Sequence, residues 1–216
     1  MADDHDTDRK IAQIRQAARE LFLQHGFSGV STAALARHAG VSKETLYSRY
    51  RNKEAVLADV LEHLIIAGPD PAELSQRPLR TPADLRHALL HLAGELSHEL
   101  LQRDYVELVR SVIAETPRLP HIGDIFRQSV ADRAFRVTLD VLTRGRGAGL
   151  IRDVDTLAAA RMFIAPLVLH TVINVLLVAP SVGNPPPALD VGTHVDLFLA
   201  AVGEPDTPAP NQEESA

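Results

Sequence analysis

The chain has 216 residues, with 22 basic and 28 acidic side chains, a formal charge of −6 and a pI near 5.9, which argues against a uniformly basic nucleic-acid coat. It contains no cysteine, which excludes disulfide frameworks, thiolate zinc sites and cysteine nucleophiles and points to a cytoplasmic protein. Aromatic residues make up 4 % and Trp is absent, so an aliphatic, helical core is expected, in one large domain or two small ones.

The first residues are acidic rather than basic-then-apolar, unlike a secretory signal, and residues 1–8 read as a disordered acidic arm. Asp8 is the expected N-cap of a first helix with Ile11, Ile14, Ala18, Leu21 and Phe22 on one face, stopped by His25-Gly26. Thr32 is the expected cap of a second helix over 33–39, which ends at Gly40. Ser42 caps a third over 43–51, and Asn52 a fourth whose apolar face is Val56, Leu57, Val60, Leu61 and Leu64. Residues 9–53 hold nine basic against two acidic side chains, a balance of +7, so the rest of the chain carries −13.

A proline-rich stretch, 67–82, marks a module boundary. Thr81-Pro82 restarts a helix with Leu85, Leu89, Leu92, Leu96 and Leu100 on one face. Tyr105, Leu108, Val109, Val112 and Ile113 define the next, broken by Pro117 and Pro120. Ile122, Ile125, Phe126, Val130, Val137 and Val141 define another, which stops in the glycines of 144–149. Asp153 or Asp155 starts a long apolar helix. Its residues 162–179 carry no formal charge, a length at which a membrane span is considered. Pro166, His170, Thr171 and Asn174 interrupt that run and it is solitary, so a buried or oligomer-interface helix is expected, with no membrane partner. A last helix covers Val191–Val202, and 203–216 read as a disordered tail.

The expected fold is therefore all-α with about nine helices. A three-helix unit spans 9–53, a connecting helix 54–66, and a larger helical domain 67–202.

Within the first unit, a short helix, a tight turn at Gly40 and a second short helix make a helix-turn-helix. Leu35, Ala36, Ala39, Val41 and Leu46 are small or aliphatic, as a close crossing requires. Such a unit presents the N-terminal side chains of its second helix to base edges in the major groove, here Lys43, Glu44, Thr45 and Ser48. Tyr47, Tyr50 and Lys53 offer donors to phosphates, as do Ser31, Thr32 and Ser42 from helix starts.

This segment resembles the DNA-binding domain of TetR-type regulators. Thr32, Ala39-Gly40-Val41-Ser42, Leu46-Tyr47, Tyr50 and Lys53-Glu54-Ala55-Val56-Leu57 carry the match, with Phe22, Gly26 and Phe27 fitting the first helix and its exit. Tyr50 stands where the family more often has Phe, and Glu44 lies near a usual Gly. The segment from Arg110 to Pro117 and the later Gly149-Leu-Ile-Arg-Asp-Val-Asp-Thr are similar to the C-terminal domain of efflux-associated members. The resemblance implies a homodimeric repressor on a palindromic double-stranded DNA operator, released when a small hydrophobic effector enters the C-terminal domain.

His170 and Asn174, one turn apart in the apolar helix, have two open readings. They are hydrogen-bonded in the core or across a dimer interface, or they line a ligand cavity with Tyr105, Phe126, Phe163 and Leu167. His87, His91 and His98 form a stripe that suits a solvated face, the alternative being a metal-responsive regulator. No phosphate loop, nucleophile elbow or zinc-protease motif occurs, so neither an enzyme nor a cofactor site is expected. An enzyme or carrier with an incidental helical N-terminus is the remaining reading from another class.

Overall fold

The computed structural model describes residues 2–64, 78–178 and 187–204. The helices are α1 (Ala2–His25), α2 (Thr32–His38), α3 (Lys43–Arg49), α4 (Lys53–Leu64), α5 (Pro82–Leu100), α6 (Arg103–Glu115), α7 (Pro120–Phe126), α8 (Asp132–Gly147), α9 (Thr156–Thr171) and α10 (Val191–Val202). A π-helical turn, Arg127–Ala131, fuses α7 to α8, and a second, Val172–Leu176, prolongs α9. With α7 and α8 counted as the one helix they form, nine helices lie among the described residues and no strand does.

Local chemistry sets most of the boundaries. Ser31 accepts from the Ala34 N–H, Ser42 from the Thr45 N–H and Asp190 from the Thr193 N–H, each supplying a partner for an orphan helix donor. Thr81 and Asp84 form a reciprocal capping box with Pro82 in the first turn, and Asp155 caps α9.

Three sequence expectations are corrected. The first helix starts at Ala2, not after Asp8, so residues 2–8 are helical rather than a disordered arm, and no Gly or Pro precedes Gly26 to stop them. The cap of α2 is Ser31, whereas Thr32 is the first helical residue and bonds its hydroxyl to Tyr47. Gly203 and Glu204 are not loose. The Arg152 N–H donates to the Val202 carbonyl and the Glu204 N–H to the Leu150 carbonyl, around an antiparallel bridge between Ile151 and Gly203. The rest of the expected tail and most of the proline-rich boundary lie outside the described residues.

The buried residues form two cores, and these do not divide at that boundary. The first joins α1–α4 (Ile14, Phe22, Leu35, Leu46, Leu57, Leu61) to Tyr105, Leu108, Val109 and Val112 of α6 and to Ile122 and Val130. The second joins α5 (Leu85, Leu89, Leu92) to Val141 and Leu142 of α8, Phe163 and Leu167 of α9, and Val195 and Phe198 of α10. Each fully buried Leu or Phe contributes about 1.5–3 kcal/mol by leaving water, so α6 is held firmly to the N-terminal helices.

Polar clamps reinforce that union. Asp104 at the start of α6 pairs with Arg19 of α1. Glu115 at its end accepts from the Ser28 hydroxyl at 2.7 Å and the Ser28 N–H at 3.2 Å. Arg110, between them, donates to the carbonyls of Val175, Leu176 and Val178 past the end of α9. Helix α6 thus touches both halves of the molecule.

The apolar helix Thr156–Leu176, with mean hydropathy 1.7, is long and apolar enough to cross a bilayer by length and composition. One face (Ala159, Ala160, Phe163, Ile164, Leu167, Thr171) lies in the second core. The other leaves Leu157, Met162, Val168, Leu169 and Ile173 exposed.

Gly40 turns the chain between α2 and α3 at φ +66, in open space. Gly40→Ala meets no clash but strains the left-handed backbone, and should lower unfolding free energy by about 1 kcal/mol in urea titration.

Candidate nucleic-acid interface and ligand cavity

Helix α3 packs on α2 through Leu46 and Leu35, both buried, and turns its first residues outward. Lys43, Glu44 and Ser48 are exposed and Thr45 is half-buried. The Ser42 and Thr45 hydroxyls lie 2.9 Å apart, and the Ser48 hydroxyl donates back to the Thr45 carbonyl. Tyr47 is 53 % exposed, and its hydroxyl lies 3.0 Å from the Thr32 hydroxyl, linking the start of α2 to the second half of α3. Ser31, Thr32, Ser42, Lys43, Glu44, Thr45, Tyr47 and Ser48 therefore share one surface.

Two expected phosphate donors are not free on that surface. Tyr50 is buried, and its hydroxyl donates to Asp59 at 2.6 Å, while Arg15 holds the same carboxylate through two bonds. Burial and the Asp59 charge push the Tyr50 phenol well above its ordinary value. Lys53 donates to the Phe27 and Val30 carbonyls at 2.7 and 2.8 Å and lies 4.1 Å from the centre of the Phe27 ring. Both residues are struts: Tyr50 fixes the end of α3 against α4, and Lys53 fixes the α1–α2 loop.

The +7 balance is likewise partly internal, since Arg15, Arg19 and Lys53 are engaged inside the fold. The exposed cations of the segment are Arg9, Arg37, Lys43, Arg49 and Arg51, of which Arg49 also donates to the Thr7 hydroxyl. Arg37 and Arg51 were not among the residues expected to contact DNA. The charge count could have pointed to them, but not to their exposure.

A cavity of about 600 Å³ lies where the two cores meet. Leu96, Glu99 and Leu100 of α5, Tyr105, Val109 and Ile113 of α6, and Phe126, Phe135, Ile164 and Leu167 are among its walls. Both π-helical turns border it, through Val130 and Ala131 of one and Val172 and Leu176 of the other. Its exposed lining residues are Ile113, Arg161, Ala165 and Val168.

The structure brings Tyr105, Phe126 and Leu167 together in this cavity and leaves Phe163, His170 and Asn174 outside its lining. Phe163 faces α10, packing on His194 and edge-on to Phe198 at 5.0 Å. The His170 ring lies 2.7 Å from the Pro187 carbonyl, and the Asn174 amide donates to the His170 carbonyl. Their polarity is satisfied along the chain, so neither needs a ligand.

Sequence reading missed Glu99, which is only 5 % exposed. Its Oε1 has no hydrogen-bond partner among the described residues. The signal was available: Glu99 continues the heptad of Leu85 and Leu92 on the buried face of α5. Burial raises the Glu99 carboxyl above its ordinary value, and burial together with the Glu99 charge pushes the Tyr105 phenol up to about 12. The His87/His91/His98 stripe is spread along the more exposed side of α5. Among the described residues no three His, Cys, Asp or Glu side chains gather as a metal site would require, so nothing supports the metal-responsive alternative.

Comparison with known proteins follows the same division. The family model "Bacterial regulatory proteins, tetR family" matches residues 14–60, and "AefR-like transcriptional repressor, C-terminal domain" matches residues 87–204. An uncharacterized HTH-type transcriptional regulator of Mycobacterium tuberculosis H37Rv is 28% identical over 113 residues, 52% of this chain and 50% of that protein. The chain thus spans about half the length of the curated mycobacterial relatives it matches. Among solved structures, the flavonoid-responsive regulator FrrA is 27% identical, with TM-score 0.63 over 91% of this chain and 98% of its own. A TetR transcriptional regulator from Agrobacterium tumefaciens shares the fold, at 24% identity and TM-score 0.68 over 90% and 94% of the two chains.

Two substitutions test these assignments. Tyr50→Phe removes the donor to Asp59 and should lower unfolding free energy by about 1–3 kcal/mol in urea titration, as expected for a bond to a charged group. A folded-state carboxyl raised above its ordinary value of 4.5 makes stability fall as pH rises through that window. Glu99→Gln should therefore melt higher than the parent at pH 7.5, and the advantage should vanish below pH 4.5 in thermal scans across pH.

Proposed function

The chain belongs to the tetR family of bacterial regulatory proteins, and from that premise we propose that it is a cytoplasmic transcriptional repressor. On this reading it binds a palindromic operator as a homodimer and lets go when a small hydrophobic molecule fills the cavity. The observation that carries the reading is the surface of α3: Lys43, Glu44, Thr45 and Ser48 at its outward N-terminal end, between the exposed cations Arg37 and Arg51. In a helix-turn-helix this end meets base edges while flanking cations and helix starts meet phosphates.

The exposed apolar face of α9, with Leu157, Met162, Val168, Leu169 and Ile173, and the exposed Leu197 of α10 support the dimer, because such a surface is stabilised by a partner. Two α3 helices must then lie about 34 Å apart, or a multiple of it, to enter grooves on one face of the duplex.

The cavity's position supports the release step. A molecule placed there lies between the two cores and against Tyr105, Val109 and Ile113 of α6. Helix α6 is clamped to the N-terminal helices by Asp104–Arg19 and Glu115–Ser28, so its displacement carries α3 with it. The ligand shifts the equilibrium only by the ratio of its affinities for the two arrangements. The relative named as flavonoid-responsive, similar over nearly the whole length, favours an aromatic or otherwise largely apolar effector.

Selection of bound duplexes from a random DNA pool tests the reading. It should return inverted repeats, and recovery of no preferred sequence would refute it. On a selected duplex, Lys43→Ala or Arg51→Ala should each reduce the salt slope of log K by about 0.9 if its charge meets a phosphate. Leu169→Glu should convert the dimer to monomer in sedimentation velocity and abolish high-affinity binding. A parent protein that sediments as a monomer at micromolar concentration would rule out the dimer.

A further inference from the structure

We propose that the cavity between the two cores selects a hydrophobic amine, whose ammonium group is held by the carboxylate of Glu99. This deepens the effector reading above, and rests on it only for the consequence at DNA.

The cavity walls are almost wholly hydrocarbon, and an apolar ligand needs nothing else. Yet the last turn of α5 places a carboxyl group there, on a residue 5 % exposed, with Oε1 unpartnered among the described residues. Asp59, the comparable carboxylate of the first core, accepts from Arg15 and Tyr50. An unpaired buried carboxylate is strongly disfavoured, and a neutral carboxyl still carries an O–H and a carbonyl oxygen to satisfy.

Among the described residues no Lys or Arg faces the Glu99 carboxyl. Arg161 of α9 is the Lys or Arg among the lining residues, and it is exposed, with no ion pair to Glu99. Glu95 and His98 flank Glu99 on α5. Of these, Glu95 repels a second negative charge, while His98, exposed and bonded to Gln102, favours the ionised carboxyl by less than burial disfavours it. Tyr105 faces it from α6 as a neutral phenol. The lining residues of α7, α8 and the turn between them, Phe126, Val130, Ala131, Ala134 and Phe135, carry no charge.

A ligand with an apolar body and one ammonium therefore completes the site. The body replaces void by dispersion contacts, and the ammonium donates to Oε1 and cancels its charge. Because burial disfavours the ionised carboxyl in the empty cavity, binding of the cation draws a proton off Glu99 into solvent. Amine affinity should accordingly rise with pH through the titration of Glu99.

Isothermal titration of the full chain with decylamine, decanol and decanoate at pH 7.5 tests the proposal, since the three probes share a body and differ in their head. Decylamine should bind tighter than decanol, and decanoate weakest. In Glu99→Gln the affinity for decylamine should fall about ten- to a hundred-fold while that for decanol stays within about threefold. Equal affinity for amine and carboxylate, or an unchanged amine affinity in Glu99→Gln, overturns the proposal. The comparison of the three probes on the parent protein decides it even if the variant fails to fold. Fluorescence anisotropy of a selected duplex separates the two readings. Glu99-dependent amine binding without DNA release upholds this site and overturns the effector role, whereas DNA release by decanol but not decylamine upholds the effector role and overturns the amine.

Discussion

The structure turns on helix α6, which belongs by burial to the N-terminal core and by sequence position to the C-terminal half. Leu108 and Val112 pack among the residues of α1–α4, while Asp104 and Glu115, eleven residues apart, grip α1 and the loop after it. At 1.5 Å per residue those anchors stand about 16 Å apart, so α6 is fixed in direction as well as in place. The same helix presents Tyr105, Val109 and Ile113 to the cavity and Arg110 to the end of α9. A boundary drawn at the proline-rich stretch would miss this: the division of the cores runs between α6–α7 and the second core.

That division explains why the cavity lies where it does. Within each core, Leu, Ile and Phe side chains interlock and leave little room. Between the cores the packing is interrupted, and space of ligand size survives there. A molecule that enters is in contact with both bodies at once, which is the geometry that coupling requires. The clamps on α6 are ionic and hydrogen-bonded, and they hold it to α1 and to the loop that follows.

How much was legible in the sequence depended on how far apart the interacting residues are. Caps, glycine stops and the leucine stripe of α5 are local features, and they located the helices and the helix-turn-helix. Tyr50 and Lys53 were placed on the wrong side of the surface because their partners are tertiary. Asp59 reaches Tyr50 from α4 together with Arg15, and the carbonyls holding Lys53 lie 23 and 26 residues earlier. In the cavity, an apolar helix of nearly uniform composition gives little clue to its rotation. Leu167 lies in the cavity wall, whereas Phe163, on the same helix, faces α10. Glu99 was within reach of periodicity alone, but a list of hydrophobic residues passes over the one carboxylate on their face.

The two π-helical turns carry a consequence of their own. Each wraps an extra residue into its turn, and each contributes to the walls of the cavity. The spacing of those walls is therefore set in part by the hydrogen-bond pattern of the backbone and not only by the size of the side chains between them. Substitutions along the lining are then free to change what the cavity prefers without collapsing it. A descendant of this chain can acquire a new chemical taste while keeping the same hollow and the same α6.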